Sequence, residues 1–282
     1  MLMKSYENIG RLKIMETTDL IPDPVKHLMK IHDLLDSQEP FSFIRFSDGE
    51  TEILKNRYLE ISNGITIFRG QSFTNKYPDF DSKKFDPQCH RNIRKDLLES
   101  AMFKDMRFYK GIPTSHNDAI NDREFMLRLN GGFDDNITFA DLLLNSNYEK
   151  YRCELVPLIS KYTNIYVIAN HRATLSGILA EAQHIPVPDN FFGTYESCLD
   201  GIMTTMKNVE KGALILSSAS SLTKIIGHKL FLKRQDITFI DVGTSINDLL
   251  LLQSNIRDYL KDDRTLIDKL LLRKRKRFEI KW

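Results

Sequence analysis

Short runs of apolar, β-branched and aromatic residues alternate along this chain with longer stretches in which apolar positions recur every three or four residues. The first pattern marks strands and the second marks amphipathic helices. Val25, Leu28, Met29, His32 and Leu35 keep helical spacing behind Pro24, which suits a first helical turn, so a helix is predicted over 24–37. FSFIRF at 41–46 predicts a strand, followed by a turn at Gly49 and a short helix through Glu52, Ile53 and Leu54. Further strands are predicted over 106–109, 136–140, 164–169, 184–188, 213–217 and 237–242. Helices are predicted over 89–102, 148–161, 174–182, 195–209 and 221–232, with more helix running into the tail. The segment 62–87 is rich in Gly, Asn, Asp, Ser and Pro. It reads as a long excursion with little regular structure, and excursions of that length often serve function.

Strands alternating with helices predict an α/β fold: a Rossmann-like, mostly parallel sheet with helices on both faces. Three βα units in succession make the second half the clearest part. No boundary signal divides it from the first half. The expectation is one α/β domain over 1–282, with 262–282 as a basic C-terminal helix or tail.

Composition narrows the class. Hydrophobic residues make up 41% and charged residues 28% of 282, enough for a core and too apolar for wholesale disorder. Cys89, Cys153 and Cys198 are far apart and form no Cys-x-x-Cys pair, which fits neither a disulfide framework nor a zinc site. The first fifteen residues are broken by Lys4, Glu7, Arg11 and Lys13 and give no secretory signal. No apolar run approaches the roughly 20 residues of a spanning helix. The expected location is the cytoplasm.

The five consecutive basic residues Arg273 to Arg277 outweigh the net charge of +2, so the rest of the chain is net acidic. A nucleic-acid partner is not expected, because basic residues are not spread over a face with interleaved aromatics. Leu266, Ile267, Leu270 and Leu271 precede the basic run, and Phe278, Ile280 and Trp282 follow it. That mixture suits peripheral contact with an anionic membrane surface at the inner face, or a terminal helix docked by its leucines.

The candidate chemistry sits at strand ends. After the strand 41–46, Asp48 and Glu50 flank Gly49 on one turn, where an open parallel sheet binds its ligands. Two carboxylates there can share Mn²⁺ or Mg²⁺ with substrate phosphates; they can equally cap and favour the start of a helix. Gly49 lets the backbone turn and a ligand approach. The small-residue loop 217–221, with Ser218, Ser220 and Ser221, leads into a helix whose N-terminus can take a phosphate, and Lys224 lies one turn in. It is not a Walker A loop, and no Gly-x-Gly-x-x-Gly marks a dinucleotide cofactor. Asn170, His171 and Arg172 follow another strand, where Arg172 can pair with a diphosphate and His171 can meet a base or ribose. Asp118, in the loop after the strand 106–109, is a candidate general base or a helix cap.

FIRFSDGETEIL resembles the strand–turn–helix of the GT-D-type glycosyltransferases, whose pattern is Arg-(Phe/Tyr)-Gly-Asp-Gly-Glu before an apolar helix. Ser47 stands where glycine is common, and the Asp48-Gly49-Glu50 core is intact. The stretch 213–227 resembles the family's strand, small-residue loop and "TAK"-type helix, here Ser221-Leu222-Thr223-Lys224. Phe239-Ile240-Asp241-Val242-Gly243 resembles its final Asp-(Ile/Val)-Gly strand end, with Thr244 where histidine often follows. The resemblance implies a metal-dependent glycosyltransferase. It would move a sugar from a nucleoside diphosphate sugar to a hydroxyl of a growing glycan, a cell-surface polysaccharide or a glycoprotein glycan, the acceptor being soluble or lipid-linked. It implies Asp48 and Glu50 at the Mn²⁺ or Mg²⁺ and donor diphosphate. Ser47, Gly49 and Asp241 are further donor-side candidates, as is Arg45, which lies on the strand and can point into the sheet instead. Another nucleotide-dependent transferase, such as a phosphotransferase, and a non-catalytic scaffold of a glycan-assembly complex are the alternative readings.

Overall fold

The computed structural model describes residues 24–62, 64–74, 82–113 and 117–252 and, at 24, 117–120 and 146, the backbone alone. Its strands are β1 (Ser42–Arg45), β2 (Leu59–Ser62), β3 (Ile65–Phe68), β4 (Gln71–Thr74), β5 (Lys83–Phe85), β6 (Phe108–Ile112), β7 (Ile137–Phe139), β8 (Ile165–Asn170), β9 (Gln183–Val187), β10 (Leu214–Ser218) and β11 (Thr238–Asp241). Seven of them form one parallel sheet in the order β7-β6-β1-β11-β10-β8-β9. The expected α/β architecture is therefore present.

The sheet is covered on both faces, and period-2 alternation divides its side chains between two cores. Along β8, Tyr166 and Ile168 enter one core while Val167 and Ala169 enter the other. Along β10, Ile215 joins the first core and Leu214 and Leu216 the second. The helices Asp48–Leu54, Arg91–Met102, Tyr195–Met206 and Ser220–Phe231 pack on the first face. The helix Pro24–Asp36 and the helical segment 148–159 pack on the second. Within that segment the backbone widens to a π-helix over Tyr151–Leu155, just before Pro157, which lacks the N–H a regular turn would use. No helix among the described residues is long and apolar enough to cross a membrane.

Two expectations fail. The described residues of the segment 62–87 hold β3, β4 and β5, which with β2 form a second, antiparallel sheet in the order β4-β3-β2-β5. Its strands are three or four residues long and mostly half-exposed or exposed, so the short apolar patterns of β2 (LEIS) and β3 (ITIF) are hidden in a turn-rich stretch. The predicted helix over 174–182 is only a 3₁₀ turn at Gly177–Leu179. The N–H groups of Thr174 and Ser176 are committed to the carbonyls of Leu250 and Leu249, which holds this stretch against the segment after β11. The helices predicted beyond β11 begin with the 3₁₀ turn Gly243–Ile246, and the tail 262–282 lies outside the described residues.

The order of strands creates a switch point between β1 and β11. From β1 the chain moves outward through β6 and β7, then crosses to β8 on the far side and works back to β11 beside β1. After β1 the backbone enters the helix Asp48–Leu54 on the first face, and after β11 it turns towards Ile246 and Leu250 on the second. Neighbouring strands whose continuations leave to opposite faces open a crevice at their carboxyl ends.

Candidate functional site

Four charged side chains meet beneath that crevice, all almost wholly buried: Arg45, Glu50, Lys224 and Asp241. Arg45 ends β1 and donates its backbone N–H to Asp241 Oδ2 at 3.0 Å; its Nε bonds the Asp241 carbonyl and its Nη1 the Ala140 carbonyl. Lys224, one turn into the helix Ser220–Phe231, places Nζ 2.9 Å from Asp241 Oδ2 and 3.3 Å from Glu50 Oε1, and donates to the Ser220 carbonyl. Two cations and two anions balance, as burial of charge requires. Gly243 is part of the fit: a Cβ there would lie 1.7 Å from Arg45 Nη2, and its φ is +50°.

Glu50 and Asp48 stand differently although one residue separates them. Ser47 caps the helix Asp48–Leu54, and its N–H and hydroxyl both donate to Glu50 Oε2, at 3.0 and 2.6 Å. Burial alone would push the Glu50 carboxyl up; the Lys224 charge and the two Ser47 donors outweigh it and hold the group at about 2. Asp48 is open to solvent and accepts one bond from the Gly49 N–H, at 3.1 Å. It lies in a recess among enough protein that lost hydration, and then the Glu50 charge, push its carboxyl up from the ordinary value. Asp48 thus offers an open carboxylate, whereas both oxygens of Glu50 are committed, one to Lys224 and one to Ser47. No third His, Cys, Asp or Glu converges on the pair among the described residues.

The loop between β10 and its helix is pinned from inside. Thr223 Oγ1 lies 2.8 Å from Ser217 Oγ and accepts the Ala219 N–H at 2.9 Å. Ser220 takes φ +52°, a left-handed conformation that serine seldom adopts, and the helix starts there. Ser221 is buried, its hydroxyl without a partner among the described residues. Lys224 is turned inward to the carboxylates rather than out to solvent.

Farther along the same edge, Ser218 lines a crevice with Asn170, Val187, Asn190, Phe191 and Lys83. Asn170 Nδ2 donates to Asp189 Oδ1 at 2.8 Å, and Arg172 Nη2 reaches the same oxygen at 2.5 Å. His171 is exposed, its N–H spent on the Val187 carbonyl. Asp118 falls in the first turn of the helix Asn117–Asn130, and its side chain lies outside the described residues. Sequence reasoning thus named Arg45, Ser47, Asp48, Glu50, Lys224 and Asp241, which the fold gathers at one switch point. It missed Asp189 and Lys83, and the same strand-end logic applied to β9 would have found Asp189.

No family model and no curated protein matches this chain. Two solved structures do. A selenomethionine-substituted structure of domain of unknown function 1792 superposes with a TM-score of 0.51 at 16% identity, over 87% of this chain and 92% of that one. A second, described as showing that this highly conserved domain has a distinct glycosyltransferase fold, superposes at 0.50 and 14% identity with the same coverage. At such identity the likeness concerns the fold: this chain has the glycosyltransferase fold described for that domain, the architecture that the GT-D resemblance of its strand–turn–helix implied.

Proposed function

We propose that the chain is a nucleotide-sugar-dependent glycosyltransferase whose donor diphosphate lies at the β1/β11 switch point. One observation carries this: in a glycosyltransferase fold, the open carboxylate Asp48 sits above a neutralised, buried Glu50–Lys224–Asp241–Arg45 network where neighbouring strands diverge. Asp48, with the Glu50 charge behind it, would hold Mn²⁺ or Mg²⁺. When bound, the cation supplies Lewis-acid neutralisation of the diphosphate.

The chain's own residues do the rest. The buried network fixes the turn that carries Asp48, so the carboxylate is placed before substrate arrives. Backbone N–H groups at Ser220 and Ser221 begin a twelve-residue helix and face an anion with its positive end. Asn170 and Ser218 border a narrow crevice at the same strand ends, and His171 and Arg172 follow Asn170 on the exposed side, where the nucleoside side of the donor would lie. In the reaction, the acceptor hydroxyl oxygen bonds to the anomeric carbon. The bond from that carbon to the diphosphate breaks, its electron pair leaves on phosphate oxygen, and the hydroxyl proton passes to a base, for which Asp118 is the candidate. The acceptor is a glycan hydroxyl, and Arg273 to Arg277 would bring the enzyme to a lipid-linked one at the cytoplasmic membrane face.

A thermal-shift panel of nucleoside diphosphate sugars with and without Mn²⁺ tests the reading, because a ligand that prefers the native state raises its melting temperature. Stabilisation by a subset of donors, only with Mn²⁺, is expected, followed by sugar transfer from those donors. A flat response across the panel would overturn it; phosphate transfer from a nucleotide would replace it with a phosphotransferase.

A further inference from the structure

The strand order reverses a second time, away from β1. From β8 the chain steps outward to β9, then returns on the other side of β8 as β10, next to β11. After β8 the backbone turns to the second face, where Ala173, Leu175 and Leu179 pack; after β10 it enters the helix Ser220–Phe231 on the first. Diverging continuations again open a crevice, here between Asn170, which ends β8, and Ser218 and Ala219 at the end of β10. Its free volume is about 10 Å³, room for one water or hydroxyl and not for a ring. A nucleoside bound there would lie across its mouth.

Asp189 stands beside that mouth, just past the end of β9. Its Oδ1 takes two bonds, from Asn170 Nδ2 at 2.8 Å and from Arg172 Nη2 at 2.5 Å. Asn170 is held in turn, since its own Oδ1 accepts the Arg172 N–H at 3.0 Å. The backbone on either side of Asp189 is fixed as well. Pro188 locks its own φ, and Asn190, at φ +43°, accepts the Lys84 N–H on Oδ1 at 2.9 Å. Oδ2 of Asp189 makes no hydrogen bond among the described residues, and the side chain is 31% exposed. One oxygen of this carboxylate places it, and the other is open to a donor.

We propose that Asp189 binds the ribose of the donor: its Oδ2 accepts a hydrogen bond from a ribose hydroxyl of a ribonucleoside diphosphate laid across the β8/β10 crevice. Neighbouring strands stand about 4.8 Å apart, so the start of the helix after β10, where backbone N–H groups face the phosphates, lies about two strand spacings from Asp189. The ribose, one ester bond from the phosphates, is the part of the nucleotide that falls between them. A carboxylate only accepts, and hydrogen bonds to it are stronger than neutral ones, so it selects for hydroxyls and against a ribose that lacks them. An acidic residue in this place, past the strand next to the first of a nucleotide-binding βαβ unit, meets a ribose hydroxyl on other doubly wound sheets. The assignment rests on the donor-site reading above and adds to it a preference for ribonucleotides over deoxyribonucleotides.

Calorimetric titration of the full chain with uridine, adenosine, guanosine and cytidine diphosphates, and with the 2′-deoxy and 3′-deoxy counterparts of each, all with Mn²⁺, tests it. The parent is expected to bind a ribonucleotide about tenfold more tightly than at least one of its deoxy counterparts. Asp189→Ala should bind that pair equally, and Asp189→Asn, which keeps the shape without the charge, should show a reduced preference. Melting curves run alongside show that each variant is folded. A residue that only braced the loop would weaken both ligands alike, so an undiminished preference in Asp189→Ala overturns the proposal. Should Asp189→Ala not fold, an undiminished preference in Asp189→Asn overturns it likewise. A parent that binds ribonucleotides and both deoxy forms equally removes the ribose assignment and leaves the donor site standing. Failure of the parent to bind any of these diphosphates overturns the donor site and Asp189 together.

Discussion

Asp48 and Glu50 share one turn and one chemistry, and the difference between them decides what each does. Glu50 is enclosed by Lys224 and Ser47, which hold its carboxyl at about 2; burial and the neighbouring Glu50 charge push the Asp48 carboxyl up. Replacing Glu50 by Gln leaves two buried cations facing Asp241 alone. Removing one partner of a buried pair costs about 3 kcal/mol, so Glu50→Gln should be markedly less stable at neutral pH. The Glu50 carboxyl is held below its ordinary 4.5, at about 2, so its contribution is fully present above 4.5 and is lost as pH falls towards 2. Urea unfolding of parent and variant across that window should show the gap closing on acidification; a gap independent of pH would mean that the Lys224 pairing does not stabilise the fold.

At the scale of elements, the strand–turn–helix units place the site, and glycines set how closely they meet. The helix Ser220–Phe231 lies so near the sheet that a Cβ at Gly227 would fall 2.7 Å from both Ile44 and Phe239. Gly243 makes the tighter fit, since Arg45 occupies the space a side chain would need and is tied down by Asp241 and Ala140. Gly243→Ala adds left-handed strain to that clash. It is expected to lose about 3 kcal/mol of stability in urea unfolding; a loss under about 0.5 kcal/mol would show that Arg45 moves aside freely. These elements differ in how they appear in the sequence. β1, β8, β10 and β11 are buried on both faces and so read as apolar runs. β2 to β5 are short and half-exposed; LEIS and ITIF on either side of an Asn-Gly in the sequence mark β2 and β3, but the Gly, Asn, Asp, Ser and Pro around them mask the signal. The stretch 174–182 has helical spacing, and its N–H groups were claimed by Leu249 and Leu250, some 70 residues away. The site divides likewise: Asp48 and Glu50 are legible as neighbours on a turn. The meeting of Arg45 with Asp241, 196 residues apart, exists only in the folded chain.

For the whole molecule, the proposed donor site at the carboxyl ends of β1 and β11 is one part and the basic run Arg273 to Arg277 another. The tail lies outside the described residues, and its expected task rests on its composition. Truncation after Leu272 should abolish salt-sensitive co-sedimentation with anionic vesicles, since attraction to such a surface fades over a Debye length of about 8 Å at physiological salt. It should leave turnover of a short soluble acceptor intact. Vesicle binding unchanged by the truncation would place membrane contact elsewhere. The central claim is that Asp48 belongs to a cation-dependent donor site, and Asp48→Asn tests it most directly. The fold raises the Asp48 pKa above the ordinary 3.8, so the charged carboxylate lowers stability as pH rises through that value. The ligand-free variant should therefore melt no lower than the parent at pH 7. Calorimetry with the preferred nucleoside diphosphate sugar and Mn²⁺ should at the same time show affinity reduced at least about tenfold. Undiminished Mn²⁺-dependent binding by a folded Asp48→Asn would contradict the account.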